Sequence, residues 1–192
     1  MGTVKAMVPF ILSGCLFLTL SLQAQIEGSS QSELFVPIIL SGSGLNNSFF
    51  TSELTLTNHG SQDAQLVFSY TAAFGEGSGT VRDSLSAGLQ KVIPDAIGYL
   101  RSLGLRIPQD GSQGGTLLVS FLNVSSPGDG QVTVRTTTTT PTGRAGLSYA
   151  GVPQANLLTR TAYLCGLRQN NSDRSNVAIQ HAGDSGSGEI VL

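Results

Sequence analysis

The chain has 192 residues, of which 11% are charged, with 24 glycines, two cysteines and no tryptophan. That length suggests one to two domains and allows one sizeable hydrophobic core. The low charge excludes a coiled coil. A formal net charge of −2 without a basic stripe indicates that nucleic acid is not a partner.

Residues 1–24 have the pattern of a secretory signal peptide. Lys5 is the only charged residue before Glu27, and a mostly apolar stretch lies between them. Cleavage after Ala24 would release a mature chain with no stable membrane span into the periplasm, the extracellular space or the cell surface. Two alternatives stay open: lipidation of Cys15, which ends a lipobox-like sequence, and an uncleaved anchor, although Pro9 and polar residues interrupt the apolar stretch.

Removal of the signal peptide would leave Cys165 as the lone cysteine of the mature chain. Such a cysteine could pair between chains or stay reduced. Its apolar neighbours Tyr163, Leu164 and Leu167 favour a small, buried strand residue. We therefore expect no intrachain disulfide.

Seven stretches that follow a flexible tether at 25–34 have the composition of β-strands. They are residues 35–40, 54–58, 65–70, 80–85, 89–93, 116–122 and 131–140. Pro37 indicates that the first is an edge strand or that a strand begins there. The second and third alternate most clearly, and a turn at 58–61 is expected to join them as a pair.

One short helix is expected between the fifth and sixth of these strands. Pro94 suits a first helical turn, Asp95 complements the helix dipole, and Gly104 marks the end. Ile97 and Leu100 form its apolar stripe.

Short strands with frequent turns and one inserted helix predict an all-β protein, an antiparallel immunoglobulin-like β-sandwich over residues 35–141. The cysteines and tryptophan of antibody domains are missing, so aliphatic side chains, Phe and Tyr must form the core. Residues 142–162 lack a steady period and are predicted to be a linker, or a strand packed across the domain end.

Residues 163–192 are predicted to begin a second, truncated sandwich repeat. The sequence at 46–48 recurs at 170–172, and residues 52–56 are echoed at 175–179, about 120 residues later. About thirty residues cannot close a two-sheet core. The chain would then be a fragment of a longer repeat protein, or its last hairpin would join the first sheet.

The segment 54–60, followed by 64–68, resembles the strand, Asn-x-Gly turn and strand of adhesion-related immunoglobulin-like repeats in secreted bacterial proteins. The resemblance covers about 20 residues closely. It implies a non-catalytic extracellular module that is often repeated along a chain. The helix after Pro94 departs from the plainest members of that group.

One sequence, at 183–188, resembles the nucleophile loop of trypsin-like serine proteases, with Ser185 in the nucleophile position. That chemistry requires a histidine base and a buried aspartate. His59 and His181 are the only histidines, and His59 lacks the sequence setting of that family's base. We therefore expect a hairpin turn at 183–188 and no catalytic residues.

Other polar or glycine-rich sequences are also better explained as turns. The two histidines lack metal-ligand spacing, and no helix follows the glycines at 75–79 to hold a phosphate. The sequences 110–114 and 129–130 lack the spacing of a calcium loop. We expect no metal and no cofactor.

The sequence thus predicts a secreted, non-enzymatic structural or adhesion module that contacts a cell-surface or extracellular protein or glycan through loops or a sheet edge. The alternative is a cell-surface domain that binds a glycan or peptide. Its binding residues would be Phe49, Phe50 and Phe74, an aromatic patch in a chain that has no tryptophan.

Overall fold

The computed structural model of the protein describes residues 30–173 and 175–182. Several expectations fall on residues outside these ranges. They are the signal peptide at 1–24, lipidation at Cys15, the first part of the tether, the loop that contains Ser185, and the strand expected at 189–192.

The described residues form an antiparallel β-fold with one α-helix, so the all-β class and the short inserted helix are confirmed. In chain order the elements are β1 (Ser30–Ser43), β2 (Phe49–Asn58), β3 (Ala64–Phe74), β4 (Gly79–Leu85), β5 (Gln90–Ile93), α1 (Ala96–Ser102), β6 (Gln113–Val124), β7 (Gly130–Thr140), β8 (Gly143–Ala150) and β9 (Val152–Pro153). Each of the seven predicted strands lies within or overlaps one of β1 to β7.

The strands form one sheet with two unequal halves. The main order is β4-β3-β6-β1-β2-β7-β8, with β5 paired to β2 and β9 paired to β1. The β1–β2 ladder that joins the halves has only three residue pairs, from Ser41↔Thr51 to Ser43↔Phe49. One half therefore contains β4, β3, β6 and most of β1, and the other contains β5, β2, β7 and β8.

The expected pairing of β2 with β3 is wrong. β2 pairs with β1, β5 and β7, whereas β3 pairs with β4 and β6. Residues 59–63 between them therefore cross from one half of the sheet to the other. The alternation identified both strands correctly, but a short turn between two strands can lead either into a hairpin or into a crossing, and local sequence does not distinguish the two.

Pro37 lies inside β1, and its placement in an edge strand or at a strand start is also wrong. The β1–β6 register shifts between Val36 and Ile39, so Pro37 and Ile38 form a bulge where a proline needs no ladder hydrogen bond. The Tyr149 hydroxyl of β8 donates to the Ile38 carbonyl there. β1 also begins at Ser30, so the last five residues of the predicted tether belong to a strand paired with β6.

A single hydrophobic core collects side chains from both halves of the sheet and from α1. Alternate residues of each strand enter it, as period-2 geometry requires. The largest fully buried side chains are Tyr70, Phe68, Phe121, Ile39, Leu54, Leu56, Leu66, Ile97, Leu100, Leu117, Val36 and Val119. The expectation of a core of aliphatic residues, Phe and Tyr is confirmed.

Between Thr140 and residue 162 the chain forms strands rather than a linker, in keeping with the alternative expectation of a further strand. Residues 142–162 contain β8 and β9, which add to the existing sheet. The described part of 163–182 contributes no strand, and Tyr163 and Leu164 are exposed. Cys165 is exposed as well, so its expected burial in a strand is wrong.

Candidate functional site

A groove of about 520 Å³ lies where β1 passes into β2. Two of the predicted binding residues, Phe50 and Phe74, line it together. Phe50 comes from the start of β2 and Phe74 from the end of β3, so the groove joins the two halves of the sheet. Its remaining lining is Leu40, Gly42, Ser43, Gly44, Leu45, Ser48, Ser112 and Asn176.

Two glycines leave the space that the aromatic rings of Phe50 and Phe74 occupy. A Cβ atom on Gly44 would lie 2.6 Å from Cε2 of Phe50, and one on Gly114 would overlap the Phe74 ring. Each ring therefore lies directly against backbone, because no side chain separates them. Phe74 remains 43% exposed in this position.

Phe49 does not belong to this groove. Neighbouring residues of a strand point to opposite faces, and Phe49 instead lines a separate hollow of about 370 Å³ with Glu53 and Arg144 among its neighbours. The predicted patch of three phenylalanines is thus divided: Phe50 and Phe74 are brought together, and Phe49 faces the other side of β2.

The groove offers apolar contact and a few polar groups rather than acid–base chemistry. Its side chains are aliphatic, aromatic, hydroxyl and amide groups. Two of the hydroxyls hold the loops in place: Ser48 Oγ donates to the Leu45 carbonyl over 2.7 Å, and the Ser43 amide donates to Ser112 Oγ over 3.0 Å. Such a surface can hold an apolar face of a ligand with its edges hydrogen-bonded.

Sequence reasoning missed a polar cluster of Asp83, Lys91 and Tyr99. Lys91 Nζ lies 2.6 Å from Asp83 Oδ2 and 2.9 Å from the Tyr99 hydroxyl, which also donates to Asp83. The Tyr99 ring meets Phe68 edge-on, with ring centroids 5.9 Å apart. The cluster links β4, β5 and α1 to the core. No local signal pointed to it, because the three residues come from different elements.

Mutual hydrogen bonding sets the ionisation of this cluster. Partial burial opposes ionisation of Asp83, but hydrogen bonds from Lys91 and Tyr99 outweigh it and lower the pKa of Asp83. The hydrogen bond to Asp83 raises the pKa of Lys91. Burial, with the carboxylate nearby, raises the pKa of Tyr99. The cluster is thus an ion pair with a neutral phenol at neutral pH, an arrangement suited to holding elements together.

The other sequences weighed for chemistry take part in turns and contacts. The His59 ring lies 3.2 Å from the Gln131 side chain. The Asp129 carboxylate accepts from the Ser126 amide over 2.8 Å and closes its own turn. Glycines 75 and 77, both with positive φ, connect β3 to β4.

Within 30–173 and 175–182, no group of three or more His, Cys, Asp or Glu side chains is placed to hold a metal ion. In the same part of the chain, no helix is both long enough and apolar enough to cross a membrane.

Comparisons with known proteins give one structural similarity. No protein-family model matches the chain, and no curated protein matches it either. A crystal structure of Thermotoga maritima 1070 is similar over 63% of this chain and 92% of that one, with 13% sequence identity and a TM-score of 0.40.

Proposed function

We propose that the protein is a secreted, non-enzymatic structural or adhesion module of the cell surface or extracellular space. Its partner would be an extracellular or cell-surface protein or glycan. We also propose the finer architecture, an immunoglobulin-like sandwich in which the two halves of the sheet are the two layers. The shared core and the short β1–β2 ladder support that proposal.

The groove of Phe50 and Phe74 is the observation that carries the functional proposal. Exposed aromatic side chains on a rigid β-scaffold are typical of surfaces that make contacts. Here the rings of Phe50 and Phe74 pack against glycine residues, and hydroxyl and amide side chains line the rest of the groove. The surface suits binding to another molecule more than it suits bond cleavage.

A second candidate is a domain that binds a small glycan or a peptide in the same groove. A volume of about 520 Å³ is in the range of ligand pockets. The phenylalanines could stack against the apolar face of a sugar or hold an apolar peptide side chain. The two candidates differ in the size of the partner and share the residues that would contact it.

Arrays of glycans, peptides and extracellular proteins test both candidates. We expect binding that Phe50→Ser and Phe74→Ser each weaken at least about tenfold, a change of about 1.4 kcal/mol. Phe49→Ser is the matched control, because Phe49 is also an exposed phenylalanine (53%, against 43% for Phe74) but lines another hollow. A large partner such as an intact protein supports adhesion, and a free oligosaccharide or short peptide supports the second candidate.

Arrays that stay blank would count against both candidates. Labelling by a serine-reactive probe that Ser185→Ala abolishes would contradict the non-enzymatic proposal. For the location, the exported protein should begin near Gln25 by N-terminal sequencing. A product acylated at Cys15 would show a lipoprotein instead.

A further inference from the structure

β8 is a long strand at one end of the sheet, and it differs from the other edges. An exposed edge strand is a template for pairing with another chain, and proteins block such edges with charges, prolines or short strands. At the opposite end β4 carries Arg82 and Asp83. β5 has four residues and includes Lys91, and β9 has two residues, one of which is Pro153. β8 has eight residues and only Arg144 is charged.

The face of β8 that points toward the core is apolar but only partly buried. Its register with β7 places Ala145, Leu147 and Tyr149 on the same face as the buried Val134 and Thr136 of β7. Tyr149 is partly buried, but Leu147, near the middle of the strand, is 61% exposed. The apolar layer therefore continues onto β8, and among residues 30–173 and 175–182 no side chain covers Leu147.

We propose that β8 pairs with β8 of a second copy of this chain, in an antiparallel ladder centred on Leu147. A twofold axis perpendicular to the sheet relates the two β8 strands. It places residues from the same face of each strand opposite one another, as in a continuous sheet. In this register Leu147 meets Leu147 of the copy, and Ala145 meets Tyr149. The exposed leucine thus gains an apolar partner on the face that already borders the core.

If β8 pairs with a second copy, charge favours the antiparallel orientation over the parallel one. In the antiparallel ladder the two Arg144 side chains lie six residues apart along the strands, about 20 Å. That distance exceeds the screening length of about 8 Å at physiological salt. In a parallel pair the two arginines would be neighbours about 5 Å apart and would repel each other.

Sedimentation velocity of the purified protein over a concentration series tests this pairing. We expect a reversible dimer, and Leu147→Lys should raise its dissociation constant at least about tenfold, because two ammonium groups would meet at the axis. The variant should fold, since Leu147 is mostly exposed in the single chain. Ser84→Lys, on the exposed side of β4, is the matched control and should leave the dimer intact.

Cross-linking tests the register independently. Cys165 is exposed, so the variants are made in a Cys165→Ser background. Leu147→Cys should form a disulfide between copies under mild oxidation, because directly opposite Cβ atoms lie about 5 Å apart. Arg144→Cys should not. A protein that is monomeric at every concentration overturns the proposal, as does a dimer that survives Leu147→Lys or cross-links equally well through residue 144.

Discussion

Asn58 is a buried polar residue that holds the crossing between the two halves of the sheet. Its Nδ2 donates to the carbonyls of Gln62 (2.8 Å) and Leu85 (3.1 Å), and its Oδ1 accepts from the Gly60 amide (3.0 Å). The side chain therefore satisfies backbone groups on both sides of the crossing. The sequence pattern assigned Asn58 to a turn, but its burial depends on Leu85, which is distant in sequence.

Asn58→Ala should destabilise the protein by about 2–3 kcal/mol, because it removes three hydrogen bonds and leaves the buried Leu85 carbonyl without this donor. Asn58→Asp should also destabilise at neutral pH, since a carboxylate would face the carbonyl oxygens of Gln62 and Leu85. Urea unfolding measures both variants. Asn171→Ala, at an exposed position, is the control and should change the free energy by less than about 0.5 kcal/mol.

The ion pair of Asp83 and Lys91 should contribute stability that depends on pH. The pKa of Asp83 is lower in the folded protein than its ordinary value of 3.8. The stabilisation is therefore complete above that value and is lost as pH falls through the folded pKa. Because both side chains are partly exposed, we expect an interaction of about 1 kcal/mol or less.

A double-mutant cycle with Asp83→Asn and Lys91→Gln measures this interaction by chemical denaturation at several pH values. The coupling free energy should be constant near neutral pH and shrink toward zero in acid. A coupling that persists unchanged in acid would show that packing or the neutral hydrogen bonds, rather than the ion pair, hold the cluster.

The short helix α1 depends on its N-cap. Asp95 has extended backbone geometry and its side chain accepts from the Gly98 amide over 3.0 Å. A helix of seven residues has little stability of its own, so capping and the burial of Ile97 and Leu100 must fix it. The sequence predicted this helix correctly because proline and an acidic residue at its start, glycine at its end and an apolar stripe are local signals, whereas the N-cap role of Asp95 comes from the structure.

Asp95→Ala should cost about 1 kcal/mol, whereas Asp95→Ser should retain most of the stability because a hydroxyl can accept the same hydrogen bond. Thermal unfolding of the two variants beside the unchanged protein measures the difference. Equal losses in both would indicate that the Asp95 carboxylate acts through its charge rather than through the cap.

Strand positions and strand pairing differ in how far sequence predicts them. Alternation located β2 and β3 because side-chain period is local, but their partners lie far along the chain. The sequence of β8 leaves a linker and a further strand open, because its Gly, Ala and Ser have low strand propensity and show no steady period. Pairing with β7 makes it a strand. Adjacent in sequence, Phe49 and Phe50 suggest one aromatic patch, but both lie in β2, and neighbouring residues of a strand point to opposite faces.

The shared core implies that both halves of the sheet unfold together. Ile39 is fully buried in β1, the strand that takes part in both halves. Ile39→Ala should cost about 2–5 kcal/mol. In the Ile39→Ala variant, native-state hydrogen exchange should show that the free energy of opening falls by a similar amount for the amides of β3 and for those of β7. Ile179→Ala, at an exposed position, is the control, and a loss confined to β3 would show that the halves are separate folding units.

β1 comes early in the chain, but its partners come late. Phe35 pairs with Leu118 on one side and with Val152 on the other. During synthesis β1 therefore cannot pair until most of the chain has left the ribosome, and its apolar side chains stay exposed until then. Such long-range pairing slows folding and leaves the nascent chain open to aggregation. For a chain proposed to be exported, the same delay would have a benefit, because slow formation of the compact state would keep the polypeptide unfolded for passage across the membrane.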